Sequence, residues 1–320
     1  MVKFLAILLM GGGLTTPAWA AHNHFNSSPF ALKLSADIPG YDIQFKSIDN
    51  PDKIVKFNPN LAQLLGVHLS FKGLVSVGYG FKLQQLERDK VMKGHTDYQD
   101  WRFAFTFDHF MLSANYQQYK GFYIGNSDDV DPSWTSAQAY LQAPNLKLTS
   151  GALSFTYIWS PEDFSLTAAM DHTVRQEKSG GSFLMGFAVG RTEFADDSPF
   201  IPTVIRNQFG VDQNIESGSF TALTARLGYG HTFVWDRSWF LAMAAQVGGG
   251  QQQRVYKDAT QERHGWHVAT KLDALLSLGY SGDDIFSGLM AVADTTSYRT
   301  TSIEISSGLW GISLFAGGRF

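Results

Sequence analysis

Residues 309–320 read LWGISLFAGGRF, and they alternate. Trp310, Ile312, Leu314, Ala316, Gly318 and Phe320 share one face. Gly311, Ser313, Gly317 and Arg319 share the other, with Phe315 its one bulky member. A period of two is that of a β-strand, apolar on one side and small or polar on the reverse. The strand is expected to run to the last residue, which places an aromatic ring and the terminal carboxylate on its apolar face. A water-soluble sandwich rarely carries such an end.

The same alternation recurs upstream. Leu65, Val67, Leu69 and Phe71 alternate with Gly66, His68, Ser70 and Lys72, and a tight turn at Lys72-Gly73 leads to Val75, Val77, Tyr79, Phe81 and Leu83. Trp101, Phe103, Phe105 and Phe107 put four aromatics in a row on one face, opposite Arg102, Ala104, Thr106 and Asp108. Such a face suits lipid and not water. Phe110 to Tyr116, 146–159, Phe164 to Met170, Phe183 to Val189, Leu223 to Tyr229, Trp239 to Val247, Trp266 to Tyr280 and 284–296 follow the same rule. The spacing predicts an all-β fold, a transmembrane antiparallel β-barrel of about 12 strands (alternative: 14), with lipid as partner of the apolar face. Closure is required, because an open sheet edge in hydrocarbon leaves backbone groups unpaired.

Loop lengths orient the barrel. The turns at 73, 108, 160, 235–238 and 281–284 are short and are assigned to the periplasmic end; the loops before 217, 263 and 307 are assigned to the outside. Counted from both termini, the strands disagree by one between 175 and 217. Residues 203–209 hold a short strand or helix inside the irregular 195–217. Domain organisation follows: a signal peptide at 1–20 (Lys3, an apolar run from Phe4 to Leu14, and Ala18-Trp19-Ala20 at the cleavage point), a polar segment at 21–40 with Pro39-Gly40 as a turn, and a single barrel over 41–320 whose first strand is 41–47. Export without a membrane-length apolar helix leaves the periplasm, secretion or the outer membrane, and the apolar strand faces favour the outer membrane.

Composition narrows the chemistry. There is no Cys, so disulfides, zinc-thiolate sites and thiol nucleophiles are excluded. Lys and Arg number 25 against 29 Asp and Glu, and removal of Lys3 takes the balance from -4 to -5. No basic stripe suggests nucleic acid. His22 and His24 lack further ligands, and Asp128, Asp129 and Asp131 match no complete calcium loop, so no metal or cofactor is assigned. The inward set consists of Lys72, Arg102, Asn115, Gln117, Tyr119, Asp171, Arg226, Gln246, His267, Lys271, Asp273 and Arg319. Mixed charges on a lumen face suit a narrow channel or transporter for small polar solutes. The same charges could pair across the lumen and fill it, giving a structural or surface-binding barrel. An outer-membrane lipid hydrolase is the third reading. Its raw materials, Ser182, His172, Asp171, Asn115, Asp108 and His109, form no recognised catalytic pattern, and no catalytic residue is assigned. With Asp171 facing the lumen, His172 would face lipid or the rim.

Two resemblances extend this. Outer-membrane barrels of Gram-negative bacteria commonly end in a strand like 307–320, which implies recognition by the barrel-assembly machinery through the segment ending at Phe320. Asn58-Pro59-Asn60, the run from Tyr116 to Tyr123 (YQQYKGFY) and the run from Arg175 to Leu184 (RQEKSGGSFL) resemble the family known as domain of unknown function 4421, over most of the mature chain. The resemblance implies an outer-membrane barrel with no assigned activity, so no functional residue is carried over from it.

Overall fold

The computed structural model describes residues 25–83 and 85–320; the predicted signal peptide and the His22/His24 pair lie outside them. The strands are β1 (Phe25–Ser27), β2 (Phe30–Ser47), β3 (Ile54–Asn58), β4 (Leu64–Phe71), β5 (Val75–Lys82), β6 (Asp97–Phe107), β7 (Phe110–Ile124), β8 (Gln142–Ile158), β9 (Val174–Gln176), β10 (Gly180–Ala195), β11 (Ser217–Trp235), β12 (Trp239–Lys257), β13 (Glu262–Ser281), β14 (Ile285–Arg299) and β15 (Ile303–Arg319). Short helices are α1 (Glu87–Lys93), α2 (Ser127–Val130) and α3 (Leu166–Met170). None is long or apolar enough to cross a membrane.

One antiparallel sheet of 13 strands closes on itself through β15 and β2. Twelve strands form the barrel, and β3 is the extra one. Phe30 and Phe320 exchange backbone hydrogen bonds at the closing seam, 2.9 and 3.0 Å. Outside, Leu34, Leu69, Phe105, Phe187, Leu227, Val247, Leu276 and Leu314 are exposed. At the end with short turns, Phe107, Phe110, Trp159, Trp235 and Trp239 form a girdle of exposed rings, the signature of a membrane–water boundary. The turns there are built for tight reversal: three residues join β4 to β5 and β11 to β12, and Lys72 and Gly73, and Asp236 and Arg237, all take positive φ.

Two sequence expectations change and a third, left between strand and helix, resolves to helix. First, the barrel begins at Phe30 and not at residue 41: β2 runs straight through Pro39-Gly40, pairing Pro39 with Gly311 on β15. On its other side, β2 pairs with β4 only as far as Asp37 and with β3 only from Ile43. The missing N–H of Pro39 therefore falls where no second ladder exists. Second, Phe164 to Met170 is not a barrel strand. The connection from β8 to β10 folds into the lumen as α3 and β9, and β9 pairs with β1 in a separate two-stranded sheet. Removing that strand reconciles the two counts at twelve. The competing pull is local: the Ser165 hydroxyl accepts the Ala168 amide at 3.1 Å and caps a helical turn. Third, 203–209 is helical: two 3₁₀ turns at Arg206–Gln208 and Gly210–Asp212 lie within the 196–216 loop.

Candidate functional site

Alternation points every second residue inward, and these residues enclose a chamber of about 410 Å³. Its floor is the inserted segment 159–179, through Leu166, Met170 and Asp171; Tyr41, Thr192 and Tyr298 lie at its roof.

One wall carries a charge chain. Arg226 on β11 donates to Asp273 on β13, Lys271 donates to Asp294 on β14, and Lys271 lies 3.4 Å from Asp273. Gln246 reaches across from β12, beside Arg226, into the hollow that Gly186 leaves. The opposite wall is arranged differently. Arg102 on β6 donates to Asp100 through Nε and Nη2 (3.1 and 2.7 Å), and Tyr98 donates to the same carboxylate at 2.8 Å. Ser70 donates to Ser76 at 3.0 Å, and Ser76 donates to Asp171 at 2.6 Å. Lys33 is buried and donates to the Met170 carbonyl at 2.5 Å. The His68 ring fills the space a side chain at Gly78 would need. Arg102 points inward, yet its side chain is 48% exposed; that exposed surface is turned to the chamber.

The floor is a fitted plug. Phe164 lies under Gly230 of β11, in space only a glycine leaves, and Thr167 meets Thr106 of β6 at 3.2 Å between hydroxyls. Arg175 of β9 donates to the Arg237 carbonyl at 2.8 Å and to Asp283, and Gln176 donates to the carbonyls of Asp163 and Lys178 at 2.8 and 3.0 Å. His172 does not face lipid. It turns at φ 59° into a box of Phe240, Phe286 and Phe315, stacked 4.4 Å from Phe315, with neither ring nitrogen partnered among the described residues. Arg319 locks this turn, donating to the carbonyls of His172 and Gly282 at 2.5 and 2.6 Å and to Ser281 at 2.6 Å. Phe315, the bulky exception of the last strand, is thus a wall of the plug's socket.

The roof is apolar. Tyr41, Phe45, Phe57, Tyr119, Phe194 and Phe220 from the strands pack with Phe200, Ile201, Ile205, Phe209 and Ile215 from the 196–216 loop in the largest buried cluster. Asp212, fully buried, ties this loop down by accepting from Arg263, the Thr300 hydroxyl and the Ser302 amide.

Of the residues singled out from sequence, Arg102, Asn115, Gln117, Asp171, Arg226, Gln246, Lys271 and Asp273 line the chamber. Asp171 does so from the plug and not from a strand. Lys72 lies in the β4–β5 turn, Tyr119 is buried in the roof stacked 4.7 Å from Tyr41, His267 sits toward the loop end of β13, and Arg319 serves the plug. Lys33, His68, Ser76, Asp100 and Asp294 were not among the selected residues. Lys33 shares the alternation of Phe30, Leu32 and Leu34 on their reverse face; starting the barrel at residue 41 hid it.

The catalytic raw materials stay apart. Asp108 and His109 form a turn in which His109 hydrogen-bonds the Ile158 carbonyl at 3.0 Å, and Ser182 is engaged by the Ser160 amide at 2.8 Å. Among the described residues no hydrogen bond joins a His to a Ser, and no group of three His, Cys, Asp or Glu side chains is placed to hold a metal ion.

Comparison with known proteins adds a family. Solved structures similar to the chain include the Escherichia coli outer membrane protease OmpT (7% identity, 92% of this chain and 98% of that one, TM-score 0.40). The Pseudomonas putida toluene transporter TodX (9%, 91% and 90%, TM-score 0.28) and the Yersinia pestis attachment invasion locus protein Ail (9%, 89% and 98%, TM-score 0.26) are further examples. No curated protein matches the sequence. The family described as domain of unknown function (DUF4421) matches residues 26–320. The three sequence runs noted above serve as structural hubs in this barrel. Asn60 donates to the carbonyls of Asp89 and Gly94, Gly121 bulges β7 with φ 88°, and Arg175 and Gln176 seat the plug. Plugged, twelve-stranded and matched over nearly its whole described length, the chain belongs to the DUF4421 family.

Proposed function

We propose that the protein is a gated transporter in a Gram-negative outer membrane, with the plug facing the periplasm, and that its chamber receives a small polar solute. The observation that supports this reading is the chamber itself, a compartment of about 410 Å³ in which charged and polar side chains stand among small apolar ones, with apolar clusters at both ends. Burying charges costs free energy that hydrophobic packing would avoid. Paired but solvent-facing groups such as Arg102 make sense if a solute displaces the water. The fitted, non-covalent plug is the element able to move. A second reading, a structural or surface-binding barrel with a filled lumen, is favoured by the roof: its aromatic cluster closes the loop end, so no passive open pore is expected.

The test exploits the absence of cysteine. The Thr106 and Thr167 hydroxyls are 3.2 Å apart, so a Thr106→Cys, Thr167→Cys pair is within disulfide reach. Reconstituted barrels are followed by liposome swelling in isosmotic amino acid and monosaccharide solutions. Swelling that stops on oxidation and returns on reduction supports a moving plug. Swelling indifferent to the disulfide refutes plug gating. No swelling in either state, with insertion verified, removes transport and leaves the filled barrel.

A further inference from the structure

The seams of this barrel are unequal. β12 and β13 pair from Trp239/Tyr280 to Lys257/Glu262, along their whole length. The β5–β6 ladder covers only Val75/Phe105 to Tyr79/Trp101. Above it, Gly80–Lys82 and Asp97–Asp100 remain strand without pairing with each other. Side chains close this stretch from inside: Tyr98 and Asp100 lie over Gly80, and Lys82 donates to the Thr96 carbonyl at 2.5 Å. Unpaired backbone next to lipid is costly, so a wall closed by side chains needs a reason.

What flanks this seam differs on its two sides. Outside, Tyr79, Phe81 and Trp101 cluster, with ring centroids 4.4 and 4.6 Å apart. Just beyond, Leu83, Leu86 and Val91 are exposed in the 83–96 loop, Leu86 and Val91 by 74% and 70%. These apolar side chains sit at the loop end of β4 and β5, the shortest strands of the barrel wall, on the side that the orientation proposed above turns to the outer leaflet. Inside lies the chamber, lined on this side by Arg102, Lys33 and the His68 ring that packs over Gly78. Donors on this side are in surplus. Among the described residues, Arg102 uses Nε and Nη2 on Asp100 and leaves Nη1 unspent, Lys33 uses one of three N–H groups on a carbonyl, and Asp171 takes its hydrogen bond from Ser76 and not from Lys33. Unspent, partly desolvated donors favour an anionic acceptor.

We propose that the β5–β6 seam is a lateral entrance through which a single-chain amphiphile with an anionic headgroup places its head against Arg102 and Lys33 while its tail stays outside, against Tyr79, Phe81 and Trp101. This rests on the chamber being a ligand compartment and goes beyond the polar-solute reading: it gives the chamber a second, membrane-borne ligand class and a lateral route.

The probe is a long-chain fatty acid carrying a diazirine on its tail, added to the reconstituted wild-type barrel at pH 8 and photolysed. Cross-links are mapped by mass spectrometry. The expected result is labelling concentrated on residues 79–86 and 97–103. It falls roughly tenfold in Arg102→Gln, the loss expected of one charge-assisted hydrogen bond, and is absent with the corresponding fatty alcohol. A staple offers a second handle: a Cβ built at Gly80 lies 3.8 Å from that of Asp100, so oxidised Gly80→Cys, Asp100→Cys should exclude the probe and its reduced form, relative to Asp100→Cys alone, should not. Labelling spread evenly around the barrel, or equal for acid and alcohol, overturns the proposal. Locking the plug through residues 106 and 167 separates the two readings. Seam labelling that persists while swelling is blocked fits both; plug-gated swelling without seam labelling sinks the lateral entrance alone; seam labelling without swelling in any state sinks transport alone.

Discussion

Asp273→Ala probes the charge chain on the chamber wall most directly. Asp273 accepts from Arg226 and lies 3.4 Å from Lys271, so one carboxylate serves two cations. Lys271 keeps Asp294, but Arg226, whose side chain is 7% exposed, has no other carboxylate within ion-pair distance among the described residues, and its Nε is already unpartnered. Breaking a buried pair from one side costs about 3–5 kcal/mol. Asp273 is 27% exposed to the chamber, where water can replace part of the lost contact, so the expected cost is about 2–3 kcal/mol. At a urea slope of about 2 kcal/mol/M the unfolding midpoint should fall by about 1 M. Arg226→Met added to Asp273→Ala removes the stranded charge and should recover about 1.5 kcal/mol or more, because apolar replacement of a whole pair is often neutral. The assay is equilibrium urea unfolding of the barrel in lipid vesicles, followed by tryptophan fluorescence. A single variant within about 0.5 kcal/mol of wild type, or a double variant as unstable as the single, refutes the assignment of this pair as buried and mutually dependent.

Other consequences concern the plug and the loops. Arg319→Ala removes three hydrogen bonds that hold the His172 turn, at about 1–1.5 kcal/mol each; residues 160–179 should become protease-sensitive while the barrel stays folded, and an unchanged digestion pattern would count against the lock. Gly230→Val fills the space Phe164 occupies and should release the plug in the same assay, with Gly230→Ala intermediate. At the β12–β13 loop the Asp258 carboxyl is held at about 2 by the Thr260 hydroxyl and the Thr260 and Gln261 amides. Its folded value lies below its unfolded one, so its contribution is fully present above the unfolded value and is lost as pH falls through about 2. NMR titration of this carboxyl should show the low midpoint, and Thr260→Ala should move it up; a midpoint near the ordinary 3.8 would contradict the turn.

The sequence by itself determined the wall. Period-two alternation of bulky apolar residues is a local property of each strand, and in lipid every backbone group must be paired, so alternating strands with an aromatic boundary had to close into a barrel. The inward phase of Arg102, Gln117, Arg226, Gln246, Lys271 and Asp273 follows from the same parity. Parity also marked Phe315 as an exception without explaining it. Only the tertiary structure decided what fills the barrel. Residues 164–170 alternate as well as a strand does, but a capping Ser165 and a socket assembled from Gly230, Phe240, Phe286 and Phe315, all distant in sequence, draw them inside. Which cations find a carboxylate, which seam loses its ladder, and where a chamber is left between plug and roof depend on registers set across the whole sheet. Those registers come from closure, a condition on all twelve strands at once that no single stretch of sequence carries.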